Sequence, residues 1–113
     1  MHSSSPSINA WLLPLEPYLN ERDLIECSVI KPGELRLEKS EGGFSSIATP
    51  DLDLNYWETL CHVLANHWGL NFDRITQPRL SVMLPAGHRF EAMLGSNVES
   101  KLSISIRMRR HLK

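Results

Sequence analysis

The chain has 113 residues, of which 42% are hydrophobic and 22% charged, a composition typical of one ordinary globular domain. This length excludes two independent cores or a complete multi-domain motor, and residues 1–15 are too polar for a spanning helix or a signal peptide. The net charge of -1 conceals an asymmetry, because residues 1–56 carry four Lys/Arg and nine Asp/Glu whereas residues 57–113 carry eight and four. The acidic first half argues against a nucleic-acid-binding domain, and the basic second half is suited to anions.

The N-terminal region predicts a disordered start followed by a short helix. Residues 1–7 are small and polar, so we expect them to be disordered. Apolar residues then recur at helical spacing over residues 8–19, but Pro14 and Pro17 should interrupt the helix. This amphipathic segment suits either the core or a membrane surface. Because it contains no Lys or Arg, we expect core packing.

Residues 25–48 predict three strands in a meander. Ile25, Cys27 and Val29 alternate with polar residues, a Pro-Gly turn follows at residues 31–34, and Leu35 and Leu37 alternate on the return. A second turn at residues 40–43 leads into a third strand at residues 44–48. The first half of the chain is therefore expected to be mainly sheet.

Residues 53–68 predict the main helix. Asp53 is suited to cap its start and Gly69 to end it. Its apolar stripe is broad, and we expect Trp57, Cys61, Leu64 and Trp68 to be buried against the sheet.

The last third predicts three more strands. Apolar residues alternate over residues 80–84, 90–94 and 102–108, with turns at residues 85–87 and 95–97. By this alternation Arg89 and Arg107 project from the solvent face. The predicted fold is α+β: a curved, largely antiparallel sheet of about six strands, covered by one long helix and a short N-terminal helix.

The sequence contains little that indicates catalysis. We expect all five histidines, His2, His62, His67, His88 and His111, to be solvated, without a metal-ligand spacing, and the two cysteines, Cys27 and Cys61, to be buried free thiols. Neither GxGxxG nor GxxxxGK[ST] is present, so the chain has no phosphate loop. We therefore expect this chain by itself to have no enzymatic activity and to hold no metal or cofactor.

Several segments in order resemble the N-terminal domain of the VirB-type traffic ATPases of type IV secretion systems, of the secretion NTPase superfamily. They are LPL at residues 13–15, LIE at 24–26, KPGE at 31–34, LSVMLPAGHRF at 80–90 and LSISIR at 102–107. The resemblance spans residues 8–110. The chain departs from the family's usual proline pair where it has Met93, Leu94, Gly95 and Ser96, so the loop before the last strand is expected to take a different course.

The resemblance implies a cytoplasmic hexameric ATPase, peripheral to the inner membrane, in protein transport or conjugation. In such a protein this domain forms part of a ring, contacts neighbouring subunits and other secretion-system proteins, and precedes a motor domain that binds ATP and Mg. The family's two phosphate-contacting arginines match Arg89 and Arg107, whose guanidinium groups suit phosphate oxygens. Arg109, Arg110, His111 and Lys113 are expected to be solubilising tail or linker.

The resemblance also suggests a domain organisation. We expect residues 8–110 to form one domain of a longer protein and residues 111–113 to begin the linker to the motor. The alternative is a stand-alone non-enzymatic adaptor or sensor domain, a role that antiparallel sheets with a covering helix also perform. Single-stranded nucleic-acid binding is disfavoured because the strand with Arg107 has no aromatic residue.

Overall fold

The computed structural model describes residues 6–95 and 102–109. The helices are α1 (Pro6–Leu12), α2 (Glu16–Leu19) and α3 (Leu54–Trp68), and a 3₁₀ turn over Leu13–Leu15 joins α1 to α2. The strands are β1 (Leu24–Val29), β2 (Glu34–Lys39), β3 (Gly43–Ala48), β4 (Arg79–Met83), β5 (Arg89–Leu94) and β6 (Leu102–Arg107). The predicted α+β class is confirmed.

All six strands form one antiparallel sheet in the order β3-β2-β1-β6-β5-β4. The first half of the chain therefore supplies one half of the sheet and the second half supplies the other. The two halves join where β1 pairs with β6. In this order β3 and β4 lie at the two edges of the sheet.

Helix α3 covers one face of the sheet with its predicted stripe. The Asp53 carboxylate accepts the Tyr56 backbone N–H at 2.9 Å, and Gly69 ends the helix at φ 70°, so both predicted caps are confirmed. Trp57, Cys61 and Leu64 are fully buried. The prediction for Trp68 is wrong: its side chain is 47% exposed, because it lies at the helix end beside edge strand β4 and donates through Nε1 to the Met83 carbonyl.

The N-terminal segment packs on the core, as its lack of basic residues predicts. Ile8, Leu12, Leu15 and Leu19 are buried, and a 3₁₀ turn with Pro14 interrupts the helix. The Tyr56 hydroxyl donates to the Trp11 carbonyl at 2.6 Å and so ties this segment to α3.

Strand β1 differs from the simple alternation predicted for it. Its pairing with β2 shifts register between Leu24 and Glu26, and Leu24 rather than Ile25 is fully buried. Ile25 is only partly buried, while its carbonyl accepts the Met108 N–H at 3.0 Å. The expected inward alternation of β4, β5 and β6 is confirmed, since their apolar residues are buried.

Candidate phosphate-contacting site

The candidate site lies on the open face, which we define as the sheet face opposite the buried core residues. Because side chains alternate along each strand, the polar residues that interrupt the buried ones project together from this face. Its members are Glu26 and Ser28 of β1, Glu34, Arg36 and Glu38 of β2, Phe44, Ser46 and Ala48 of β3, Arg79, Ser81 and Met83 of β4, Arg89, Glu91 and Met93 of β5, and Ser103, Ser105 and Arg107 of β6.

Arg89 and Arg107 are direct cross-strand partners in the β5–β6 ladder. Their side chains are 50% and 54% exposed, so the guanidinium groups remain accessible to a ligand. With Glu91 and Ser105 they line a shallow depression of about 290 Å³. The sheet register thus brings together two arginines that are 18 positions apart in the sequence.

Each arginine has a carboxylate neighbour. Arg107 Nη2 lies 3.4 Å from Glu26 Oε1, and Arg89 Nη1 lies 3.9 Å from Glu91 Oε2. The Ser105 hydroxyl donates to the other Glu26 oxygen at 2.8 Å and so fixes that carboxylate. Ion pairs at half-exposed arginines contribute little, about 0–1 kcal/mol, so neither carboxylate holds its guanidinium group strongly.

Sequence reasoning missed the carboxylates and the serine of this depression. Glu26 belongs to β1, and it meets Arg107 and Ser105 only because β1 pairs with β6. Their sequence separations are 81 and 79, so no local pattern indicates that contact. For Glu91 the signal was present, since Arg89 and Glu91 are two positions apart on one strand and therefore share a face.

The three histidines among the described residues do not lie together in a second site. His62 is exposed and packs its ring edge-on against Phe72, while His67 is partly buried. The prediction that His88 is solvated is wrong: it is buried in the β4–β5 turn, where Nδ1 accepts the Arg109 backbone N–H at 3.0 Å. His2 and His111 lie outside the described residues, and within those residues no cluster of three or more His, Cys, Asp or Glu could hold a metal.

Arg109, expected to belong to a solubilising tail or linker, instead packs against the β4–β5 turn. Its Nη1 donates to the Ala86 carbonyl at 3.3 Å, and its side chain lies over Gly87, where a Cβ would come within 2.7 Å of Cδ. Arg109 therefore braces the β4–β5 turn. Arg110 and Lys113 lie outside the described residues.

Both cysteines are buried free thiols, as predicted. Burial, with a smaller effect of Glu26, raises the pKa of Cys27 to about 12, and burial with a smaller effect of Glu58 raises that of Cys61 to about 12. Neither is therefore a thiolate nucleophile at neutral pH.

The described part of the chain contains no helix long and apolar enough to cross a membrane. Its defining features are an open antiparallel sheet, one covering helix and an exposed arginine pair in register. This is an α+β domain with two half-exposed arginines paired on the open face of its sheet.

No protein-family model and no curated protein matches the sequence. Among solved structures, the chain is similar to the VirB11 ATPase from the Brucella suis type IV secretion system, solved in complex with sulphate. The TM-score is 0.80 and the identity 29%, over 89% of this chain and 31% of that one. The chain thus spans about a third of that ATPase. The resemblance to an N-terminal domain of a VirB11-like ATPase is confirmed.

Proposed function

We propose that this chain is the N-terminal, ring-forming domain of a hexameric type IV secretion traffic ATPase. In this role it supplies subunit contacts, and Arg89 and Arg107 contact the phosphates of a nucleotide bound to a motor domain outside the chain. The observation that carries the proposal is the direct register of these two arginines on the open face. The similarity to a VirB11 ATPase supports it independently.

We expect the depression to bind a nucleotide together with the motor domain rather than by itself. Each hydrogen bond to a charged group contributes about 1.5–3 kcal/mol, so two give about 3–6 kcal/mol, whereas millimolar binding needs about 4.1 kcal/mol. Glu26 and Glu91 compete with the phosphate for the same guanidinium groups. The chain alone should therefore bind ATP only at millimolar concentrations or more weakly, and the arginines act fully only beside the motor.

The proposal is tested in the full-length protein. Arg89→Ala and Arg107→Ala should each weaken ATP binding or turnover about tenfold or more, because each removes a charged contact. The melting temperature of the domain should move by only a few degrees, since both side chains are half exposed. Arg79→Ala is the matched control, because Arg79 lies on the same face but outside the depression. Unchanged kinetics in the double variant, with the ring intact, would exclude the proposed role.

A complementary test uses the competing carboxylate. Glu26→Gln keeps an oxygen that can accept the Ser105 hydroxyl but removes the negative charge beside Arg107. It should therefore strengthen phosphate binding rather than weaken it. Binding that becomes weaker would show that Glu26 orients Arg107 instead of competing for it.

The remaining parts of the proposal concern the whole protein. Hydrolysis requires a phosphate loop, a magnesium site and a positioned water, which we assign to the motor domain, so this chain should show no ATP turnover. We place the protein at the cytoplasmic face of the inner membrane with other secretion-system subunits. Native mass spectrometry of the full-length protein with ATP and Mg should show six subunits, and a strictly monomeric protein would contradict the ring.

A further inference from the structure

One row of directly paired residues crosses the open face from edge to edge. It begins at Phe44 on β3 and passes through Glu38 and Glu26 to Arg107, Arg89 and Met83. We call this series the Phe44–Met83 row. It therefore places an exposed aromatic ring, two carboxylates and the two arginines side by side across the strands.

Phe44 presents an exposed aromatic ring on the edge strand β3. Its side chain is 68% exposed, although leaving a large apolar ring in water forgoes the energy of burying it. The ring lines a second depression of about 170 Å³ with Glu38, Glu26, Ser28 and Arg36. An aromatic ring on a sheet face is the kind of surface on which nucleobases stack.

The spacing of the row fits one nucleotide. Phe44 and Arg107 are separated by three strand spacings, about 14 Å between Cα positions. Glu26 lies between them, since it contacts Arg107 at 3.4 Å and lines one depression with Phe44. An extended nucleoside triphosphate has comparable length. With its phosphates at the arginine pair, its ribose lies over Glu38 and Glu26, and carboxylates commonly accept hydrogen bonds from ribose hydroxyls.

We propose that Phe44 is the stacking platform for the base of the nucleotide whose phosphates contact Arg89 and Arg107, and that Glu38 accepts a ribose hydroxyl. This inference rests on the proposed function. The opposite end of the row offers only Met83, which has neither an aromatic face nor neighbouring carboxylates within the row. A nucleic-acid strand is disfavoured because its phosphates would pass over Glu38 and Glu26.

The test compares ATP with tripolyphosphate, the same phosphate chain without base and ribose, in NMR titrations of this chain. Tripolyphosphate is at least as negatively charged as ATP, so charge alone cannot favour ATP. We expect ATP to bind about fivefold more tightly or better, because stacking of one base contributes that much. Phe44→Ala should abolish this preference while leaving the affinity for tripolyphosphate unchanged.

Three matched variants accompany Phe44→Ala. Phe44→Trp should retain the preference, because it keeps an aromatic face. Met83→Ala, at the other end of the row, should also retain it. Glu38→Ala should abolish any preference for ATP over 2′,3′-dideoxy-ATP, which lacks the ribose hydroxyls. An unchanged melting temperature shows that each variant is folded.

The outcomes separate this inference from the proposed function. If ATP and tripolyphosphate bind equally, or if Phe44→Ala leaves the preference intact, the base platform is wrong. The proposed function then still stands, provided that Arg89→Ala and Arg107→Ala weaken tripolyphosphate binding. If those two substitutions leave tripolyphosphate binding unchanged, or if neither ligand shifts any resonance of the open face, both proposals fail.

Discussion

The substitution Leu64→Ala tests whether α3 is the main support of the sheet that carries the arginine pair. Leu64 lies near the middle of the helix stripe and is fully buried. Its truncation removes buried apolar surface and leaves a cavity between helix and sheet, which should cost about 2–5 kcal/mol. A domain of this size is stable by about 5–15 kcal/mol, so the loss is a large share of the total.

Urea and thermal unfolding followed by circular dichroism measure this loss. At about 4 °C per kcal/mol, the melting temperature should fall by roughly 8–20 °C. Asn66→Ala is the control, because Asn66 is exposed on the same helix and alanine favours helix. Its effect should be small or stabilising. A loss below about 0.5 kcal/mol for Leu64→Ala would refute the assignment of this stripe to the core.

Three further predictions concern caps, turns and thiols. Asp53→Ala should destabilise the domain by about 1 kcal/mol in urea melts, because it removes the cap of α3, whereas Asp53→Ser should restore most of the loss. Gly87→Ala should destabilise the β4–β5 turn by about 1–3 kcal/mol, since φ is 95° and the new Cβ would approach Arg109; an unchanged melt would contradict this geometry. The raised pKa values of Cys27 and Cys61 predict that the stability contributed by the two neutral thiols is fully present below pH 9 and is lost as the pH rises toward about 12. A Cys27→Ala/Cys61→Ala variant should therefore lose less stability over this pH range.

The strands and the main helix could be predicted because their signals are local. Alternation of apolar residues decides which face of a strand is buried, so the outward direction of Arg89 and Arg107 follows from one short window each. The caps of α3 are equally local, since Asp53 and Gly69 act within one helical turn.

The failed predictions each depend on contacts between distant segments. Trp68 is at a stripe position, but the sheet ends at β4 and leaves one side of the ring in water. His88 is in a turn, a place where histidines are commonly solvated, yet Arg109 folds over that turn and buries it. The predicted change in the loop around Gly95 and Ser96 falls largely outside the described residues.

The sheet topology also places the acidic and basic halves of the sequence in different halves of the sheet. Strands β1 to β3 come from the acidic half of the chain and strands β4 to β6 from the basic half, and they meet at the β1–β6 pair. On the open face the first half contributes three carboxylates and one arginine, whereas the second contributes three arginines and one carboxylate: Glu26, Glu34, Glu38 and Arg36, against Arg79, Arg89, Arg107 and Glu91.

This separation of acidic and basic side chains supports the nucleotide ligand that we propose. A simple anion finds three of the four arginines on the basic half, and the three carboxylates of the acidic half repel it. A nucleotide has an anionic end for the arginines, hydroxyl donors for the carboxylates and an aromatic base for Phe44 at the far edge. Because the two halves join at the β1–β6 pair, where Glu26 contacts Arg107, the strand pairing that joins the two halves of the sheet also aligns the groups to which we assign the nucleotide.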